Sequence, residues 1–211
     1  MRIGFLVEGQ SEYVALPELL KRCDSPHVLL TRVLVAPVSP LGTPYQIANQ
    51  LMKKIPILAT RNVDKVVVLI DRENCPQCAG HRASEIRIAL NQRLMQKGYS
   101  LSVDVVIKNR CFENWLVADV EALREISGIF ELSQATLNQI QPNKADNANA
   151  IQLLRRSCCH PHTYEKVAHS KAILSRADPN RIAANSRSFR RFLRLIDCPL
   201  YSTQSRNPIA R

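Results

Sequence analysis

No apolar run in this chain approaches the ~18 residues that a bilayer-spanning helix requires. The opening MRIGFLVEGQ turns acidic and polar before a signal-peptide core can form. Together these absences point to a cytoplasmic protein with no membrane partner. No internal repeat or low-complexity tract is visible, and neither a GxxxxGK[ST] loop nor a glycine-rich nucleotide fingerprint occurs. The chain therefore carries no ATPase motor of its own, and a small-molecule phosphotransferase is disfavoured. Acidic residues are the scarce charge, 18 Asp and Glu against 29 Lys and Arg, which leaves a formal net charge of +11. Such an excess attracts polyanions through phosphate contacts and counterion release, although it also serves solubility alone. The seven cysteines are odd in number and unevenly spaced, so no disulfide framework is expected in a reducing compartment. Aromatic residues make up 5% of the chain, and Trp115, the only tryptophan, sits among apolar neighbours and reads as core packing.

What is present describes an ordinary globular chain. Apolar residues are 45% and charged residues 22% of the 211, and this length can bury a sizeable core. RIGFLV at 2–7 reads as a strand ending at Glu8-Gly9, followed by a helix over SEYVALPELLKRC. LLTRVLVAPV at 29–38 reads as a second strand. A helical pattern follows across YQIANQLMKKIPILATR, with Pro56 expected to kink or end it. KVVVLI at 65–70 is apolar without alternation, as in a parallel strand buried on both faces, and it ends at Asp71-Arg72-Glu73. An amphipathic helix stopping at Gly98 and a strand at 101–108 complete an alternating order, which predicts a mostly parallel sheet with helices on both faces. From residue 111 onward the patterning is helical. Asn and Pro gather at 138–149, where a flexible connection is expected, and the closing YSTQSRNPIAR is polar and expected to be mobile.

In parallel sheets functional groups gather at the carboxyl ends of strands. Glu8, Asp71 and Glu73 all fall there. Two carboxylates one residue apart after a buried strand can converge on a hard cation such as Mg²⁺, although Asp-x-Glu also begins ordinary loops and caps helices. FLVEGQSE and, some sixty residues later, VVVLIDRE resemble the TOPRIM fold of topoisomerases, primases and OLD-type nucleases. Glu8-Gly9 matches the Glu-Gly that ends the first TOPRIM strand. Asp71-Arg72-Glu73 matches the later Asp-x-Asp pair, with Glu in place of the last Asp. ENWLVAD at 113–119 and SFRRFL at 188–193 further resemble a bacterial TOPRIM-like group catalogued as a domain of unknown function and often linked with phage defence.

The resemblance implies a TOPRIM-like α/β domain over 1–126, followed by a helical C-terminal extension over 127–211. It also implies that Glu8 acts as general acid or base while Asp71 and Glu73 hold Mg²⁺ or Mn²⁺. Glu8 and Glu113 are further candidate ligands, Glu113 because it follows the last strand closely. Asp119, nearly two helical turns further on, is not expected to reach the same ion. Gly9 is expected to permit a tight turn, and Glu12 either points toward the same cleft or, the favoured reading, is a solvated acid at a helix start. RSFRRFLR at 187–194 either grips phosphates or buries two Phe residues. Cys75 and Cys78, with His81 and the CCHPH run at 158–162, are candidate ligands for a structural Zn²⁺. The function these features imply is a metal-dependent nuclease acting on DNA or RNA, with a separate ATPase partner implied by resemblance. The alternative is a catalytically weak nucleic-acid-binding or regulatory subunit.

Overall fold

The computed structural model describes residues 1–202; from residue 203 on, the tail expected to be mobile lies outside them. In chain order the elements are β1 (Arg2–Val7), α1 (Gln10–Leu20), β2 (Val28–Leu29), β3 (Leu34–Val35), α2 (Pro44–Met52), α3 (Ile55–Ala59), β4 (Lys65–Asp71), α4 (Ala79–Gln96) and β5 (Ser102–Lys108). Helices then follow as α5 (Glu113–Ala118), α6 (Val120–Arg124), α7 (Gln134–Ile140), α8 (Ala150–Ser157), α9 (Lys166–Leu174), α10 (Pro179–Asn185) and α11 (Arg187–Leu195). The sheet has the order β2-β1-β4-β5, with β3 also on β1, and every pairing is parallel.

The apolar runs explain the sheet. β1 and β4 lie inside it, covered on both faces, so neither has a polar side to show. Side chains alternate between two cores. Ile3, Phe5, Val67, Leu69 and Val106 join one core, packed against α1 and the C-terminal helices. Leu6, Val66, Val68, Ile70 and Val105 join the other, beneath α2, α3 and α4. The predicted strand at 29–38 forms as two short pieces. Five residue steps from Leu29 to Leu34 oppose three from Ile3 to Leu6, so the chain loops out between β2 and β3 while both stay registered on β1. Pro56 falls in the first turn of α3, where its missing N–H costs nothing, and the helical pattern breaks before it at Lys53–Lys54.

After β5 the described residues are helical apart from one antiparallel bridge between Phe130 and Cys158. Their packing is aromatic at its centre. Trp115 meets Phe189 edge-on with ring centroids 4.9 Å apart, Phe192 at 5.4 Å, and its indole N–H donates to Ser188 Oγ at 2.8 Å. Phe192 in turn lies 6.2 Å from Phe5 on β1. The two Phe residues of RSFRRFLR are thus core residues.

The segment 138–149, expected to be a flexible connection, is packed instead. Ile140 and Ala145 are buried, and the Asp146 carboxylate accepts from the Ser188 N–H at 2.8 Å and from the Ser186 hydroxyl at 2.7 Å. No helix among the described residues is long and apolar enough to cross a membrane.

Candidate functional site

The carboxyl ends of three adjacent strands meet in one polar cluster. Glu8 follows the last residue of β1, Asp71 ends β4, and Lys108 ends β5. Glu8 Oε2 accepts the Asp71 N–H at 3.0 Å, which ties the two strand ends together. Lys108, 0% exposed, sends its ammonium to Asp71 Oδ1 at 2.8 Å and makes a closer contact with Glu12 Oε1. That same ammonium lies 5.5 Å from the Phe112 ring centroid. Glu12 is 4% exposed and buried in the cluster, so it is not the solvated acid its sequence position implied. Its other oxygen, Oε2, accepts the Gly9 N–H at 3.0 Å and caps α1. Gly9 itself is extended, with φ −136°, and an added Cβ would meet only Glu12 Oε2 at 3.8 Å. The tight-turn role expected of Gly9 is therefore not needed.

One ammonium faces three carboxyls, and the imbalance shows in their protonation. Burial pushes the Glu8 carboxyl up to about 8, with Lys108 opposing and Asp71 adding to the rise. Burial likewise raises Glu12, again against Lys108. Burial pulls Lys108 down, but Asp71, Glu12 and Glu8 outweigh it, and the net direction is up. The cluster thus favours the ammonium form of Lys108 and the neutral acid form of Glu8.

Glu8 and Asp71 line a cleft of about 340 Å³, with Gly9, Phe112 and Lys166 among its walls. Glu8 Oε1 is buried without a hydrogen-bond partner, and Asp71 Oδ1 faces Lys108 without an aligned hydrogen bond. Glu113, 0% exposed, opens α5 and holds the Lys166 ammonium at 3.0 Å, again without hydrogen-bond alignment at either oxygen. Burial, followed by Glu113, pushes the neighbouring Cys111 thiol up to about 12.

Glu73 does not join them. It is exposed and absent from the cleft wall. The chain stays paired just past β4, with the Arg72 N–H donating to Lys108 O at 2.9 Å and the Glu73 N–H to Arg110 O at 2.7 Å. It then turns at Glu73, whose φ of +49° is left-handed. Arg72 braces the following loop through Cys75 O at 3.0 Å and Asn109 Oδ1 at 3.0 Å. Asp119 is also elsewhere: it caps α6 through Ala122 N–H and anchors Arg181 at 2.7 Å and the Asp178 N–H at 2.8 Å.

The cysteines are free thiols. The backbone N–H groups of His81 and Gly80 pull the Cys78 thiol down. The His81 ring hydrogen-bonds Gln77 at 2.7 Å and faces Glu85 at 3.6 Å. Cys158 and Cys159 line a different cleft with Glu131 and Arg156. Among the described residues no three His, Cys, Asp or Glu side chains form a ready-made metal-binding group.

Sequence reasoning missed Lys108 and Lys166. Lys108 had one signal, a lysine ending an otherwise apolar strand beside Asp71; Lys166 lies far along the chain and had none.

The fold and cleft define a parallel α/β protein with an acidic, lysine-bridged site at its strand ends. Residues 7–197 match the family defined by a domain of unknown function, DUF4276, and the chain belongs to that family. No curated protein and no solved structure matches it.

Proposed function

We propose that the strand-end cleft is a TOPRIM-like, divalent-cation-dependent site for phosphodiester cleavage, acting on nucleic acid. The observation that carries this reading is the convergence of Glu8 and Asp71 at one cleft, with Glu8 Oε1 buried and left without a partner. Buried carboxylate oxygens without partners are costly, and hard oxygen donors suit Mg²⁺ or Mn²⁺, which need only one or two carboxylates from the protein. These residues therefore fit the ion. Asp71 would hold it, and once bound it would neutralise charge developing on a phosphoryl group. Glu8, fixed by the Asp71 amide through Oε2, offers Oε1 to take up or give a proton. Lys166, at the cleft wall with its side chain 56% exposed, is placed to meet a phosphoryl oxygen.

A second reading is a binding or regulatory module with little chemistry. Lys108 favours it by already neutralising Asp71, and so does Glu73 by lying off the cleft.

Purified protein incubated with bis(p-nitrophenyl) phosphate and with labelled oligonucleotides, in Mg²⁺, Mn²⁺ or EDTA, separates the two. Cleavage that needs the ion and falls about 100-fold or more in folded Asp71→Asn and Glu8→Gln supports the first reading. Full activity in those variants overturns it, and binding without cleavage in the wild type supports the second.

A further inference from the structure

β5 is the last strand on its side of the sheet, and a groove runs along its open edge between α4 and α11. Its two sections, about 440 and 300 Å³, adjoin at Gly80 and Arg191, which line both. Asp104 on β5 lines the floor. Arg87 stands on the α4 wall, and Arg187 and Arg191 stand on the α11 wall. Asp104 is committed to Lys65 at 3.0 Å and Arg87 at 3.7 Å. Asp146, at the inner end, spends its carboxylate on Ser186 and Ser188. Among the described residues neither Arg187 nor Arg191 forms an ion pair with a carboxylate.

The positive field is reinforced where it would ordinarily be relieved. The 18-residue helix α4 begins at this groove, and its N-cap, Cys78, makes no side-chain cap hydrogen bond. The Gly80 and His81 amides face the Cys78 sulfur, and the positive end of the helix dipole adds to the arginines. Arg191 lies against Gly80: a Cβ there would sit 3.4 Å from a guanidinium nitrogen, an ordinary contact distance. Burial and then Arg187 pull the Arg191 pKa down, with Cys78 and Asp146 opposing and Arg194 adding to the fall. Arg72, Ile107 and Asn109 line the inner end, at the carboxyl-end edge of β4 and β5 where Asp71 also lies, although the groove and the acidic cleft share no wall residue.

We propose that this groove binds the phosphate backbone of a nucleic-acid strand, gripped by Arg187 and Arg191 and led toward Asp71. Guanidinium groups match phosphate oxygens in pairs, and a strand offers a regular row of them. The direction given to the strand rests on the phosphodiester reading of the cleft; the binding itself does not.

The test is fluorescence anisotropy of a labelled 20-nucleotide strand in EDTA across a salt series. For wild type, binding weakens steeply with salt. Arg187→Ala/Arg191→Ala flattens the slope of log K against log salt by about 1.4, at ~0.7 per lost phosphate contact on a single strand, and weakens binding tenfold or more at low salt. Arg187 is exposed, so Arg187→Ala alone keeps the fold and gives about half that change. Wild-type affinity and slope in both folded arginine variants overturn the proposal. So does equal, arginine-dependent competition by a polyglutamate peptide, which would mark the groove as a site for acidic peptides. Metal-dependent cleavage of the small phosphodiester without oligonucleotide binding overturns the groove and leaves the cleft's chemistry standing; arginine-dependent binding without any cleavage does the reverse.

Discussion

Lys108 decides the character of the strand-end cluster, because its ammonium is the one cation that Glu12 and Asp71 both touch. Replacing it with Met leaves buried carboxylates unpaired, and about 3–5 kcal/mol of stability is expected to go. Urea unfolding measures this, and adding Glu12→Gln to Lys108→Met should recover part of the loss. If Lys108→Met is as stable as wild type, the ion pairs do not hold the cluster together.

Glu8 gives a pH signature of the opposite sign to most acids. Its carboxyl is raised from 4.5 to about 8, chiefly by burial, so between those values the folded protein keeps a proton that the unfolded chain releases. Stability is expected to fall as pH rises across that window and to lose no more from this group above it. Glu8→Gln, neutral throughout, should match wild type near pH 4 and exceed it at pH 9 by on the order of 3 kcal/mol in EDTA. A wild-type advantage at pH 9 would refute the buried, protonated Glu8.

Glu8 and Asp71 were legible because a charged residue directly after a buried apolar run must sit at a strand end. Glu73 was misplaced because converging with Asp71 needed a bend toward the cleft, whereas the backbone stays paired with Arg110 and then turns left-handed, leaving Glu73 exposed. Glu12 was misjudged because helix-start acids are usually solvated, and only the tertiary pairing with Lys108 buries this one.

At the scale of elements, periodicity located the long strands and most helices, since covered strands and amphipathic helices each leave a clear pattern. It missed the break between β2 and β3, because a loop-out within a β-branched run leaves the apolar pattern intact. It also mistook 138–149 for a linker. Asn and Pro favour turns, but here Asn114 Nδ2 donates to the carbonyls of Ala145 and Ala148 at 2.7 and 2.9 Å, holding the turn against α5. Asp146 then fastens that turn to α11. Because Asp146 accepts from a backbone N–H and two hydroxyls in a buried setting, Asp146→Ala is expected to cost about 2–3 kcal/mol. It should also raise hydrogen exchange at the Ser188 and Phe189 amides. A loss below ~0.5 kcal/mol, with exchange unchanged, would show that α11 holds its place through its aromatic face alone.

For the whole molecule the question is whether the C-terminal helices stabilise the sheet or merely decorate it. One of the two cores contains residues of β1, β4 and β5 together with Trp115, Phe189 and Phe192. Among the described residues, α1 and these helices cover the face of the sheet opposite α2–α4. A sheet that lost this cover would expose Phe5, Val67 and Leu69 to water at ~25 cal/mol per Å² of apolar area. Phe192 touches both sides of the junction, with Phe5 on one and Trp115 and Phe189 on the other. Phe192→Ala is therefore expected to remove about 3–5 kcal/mol from the entire molecule rather than from α11 alone. Calorimetry should show one transition, shifted down, and native-state exchange should show the amides of β1 and β4 losing as much protection as those of α11. Two separate transitions, with the strand amides keeping wild-type protection while the C-terminal helices open, would show the sheet to be stable without that cover.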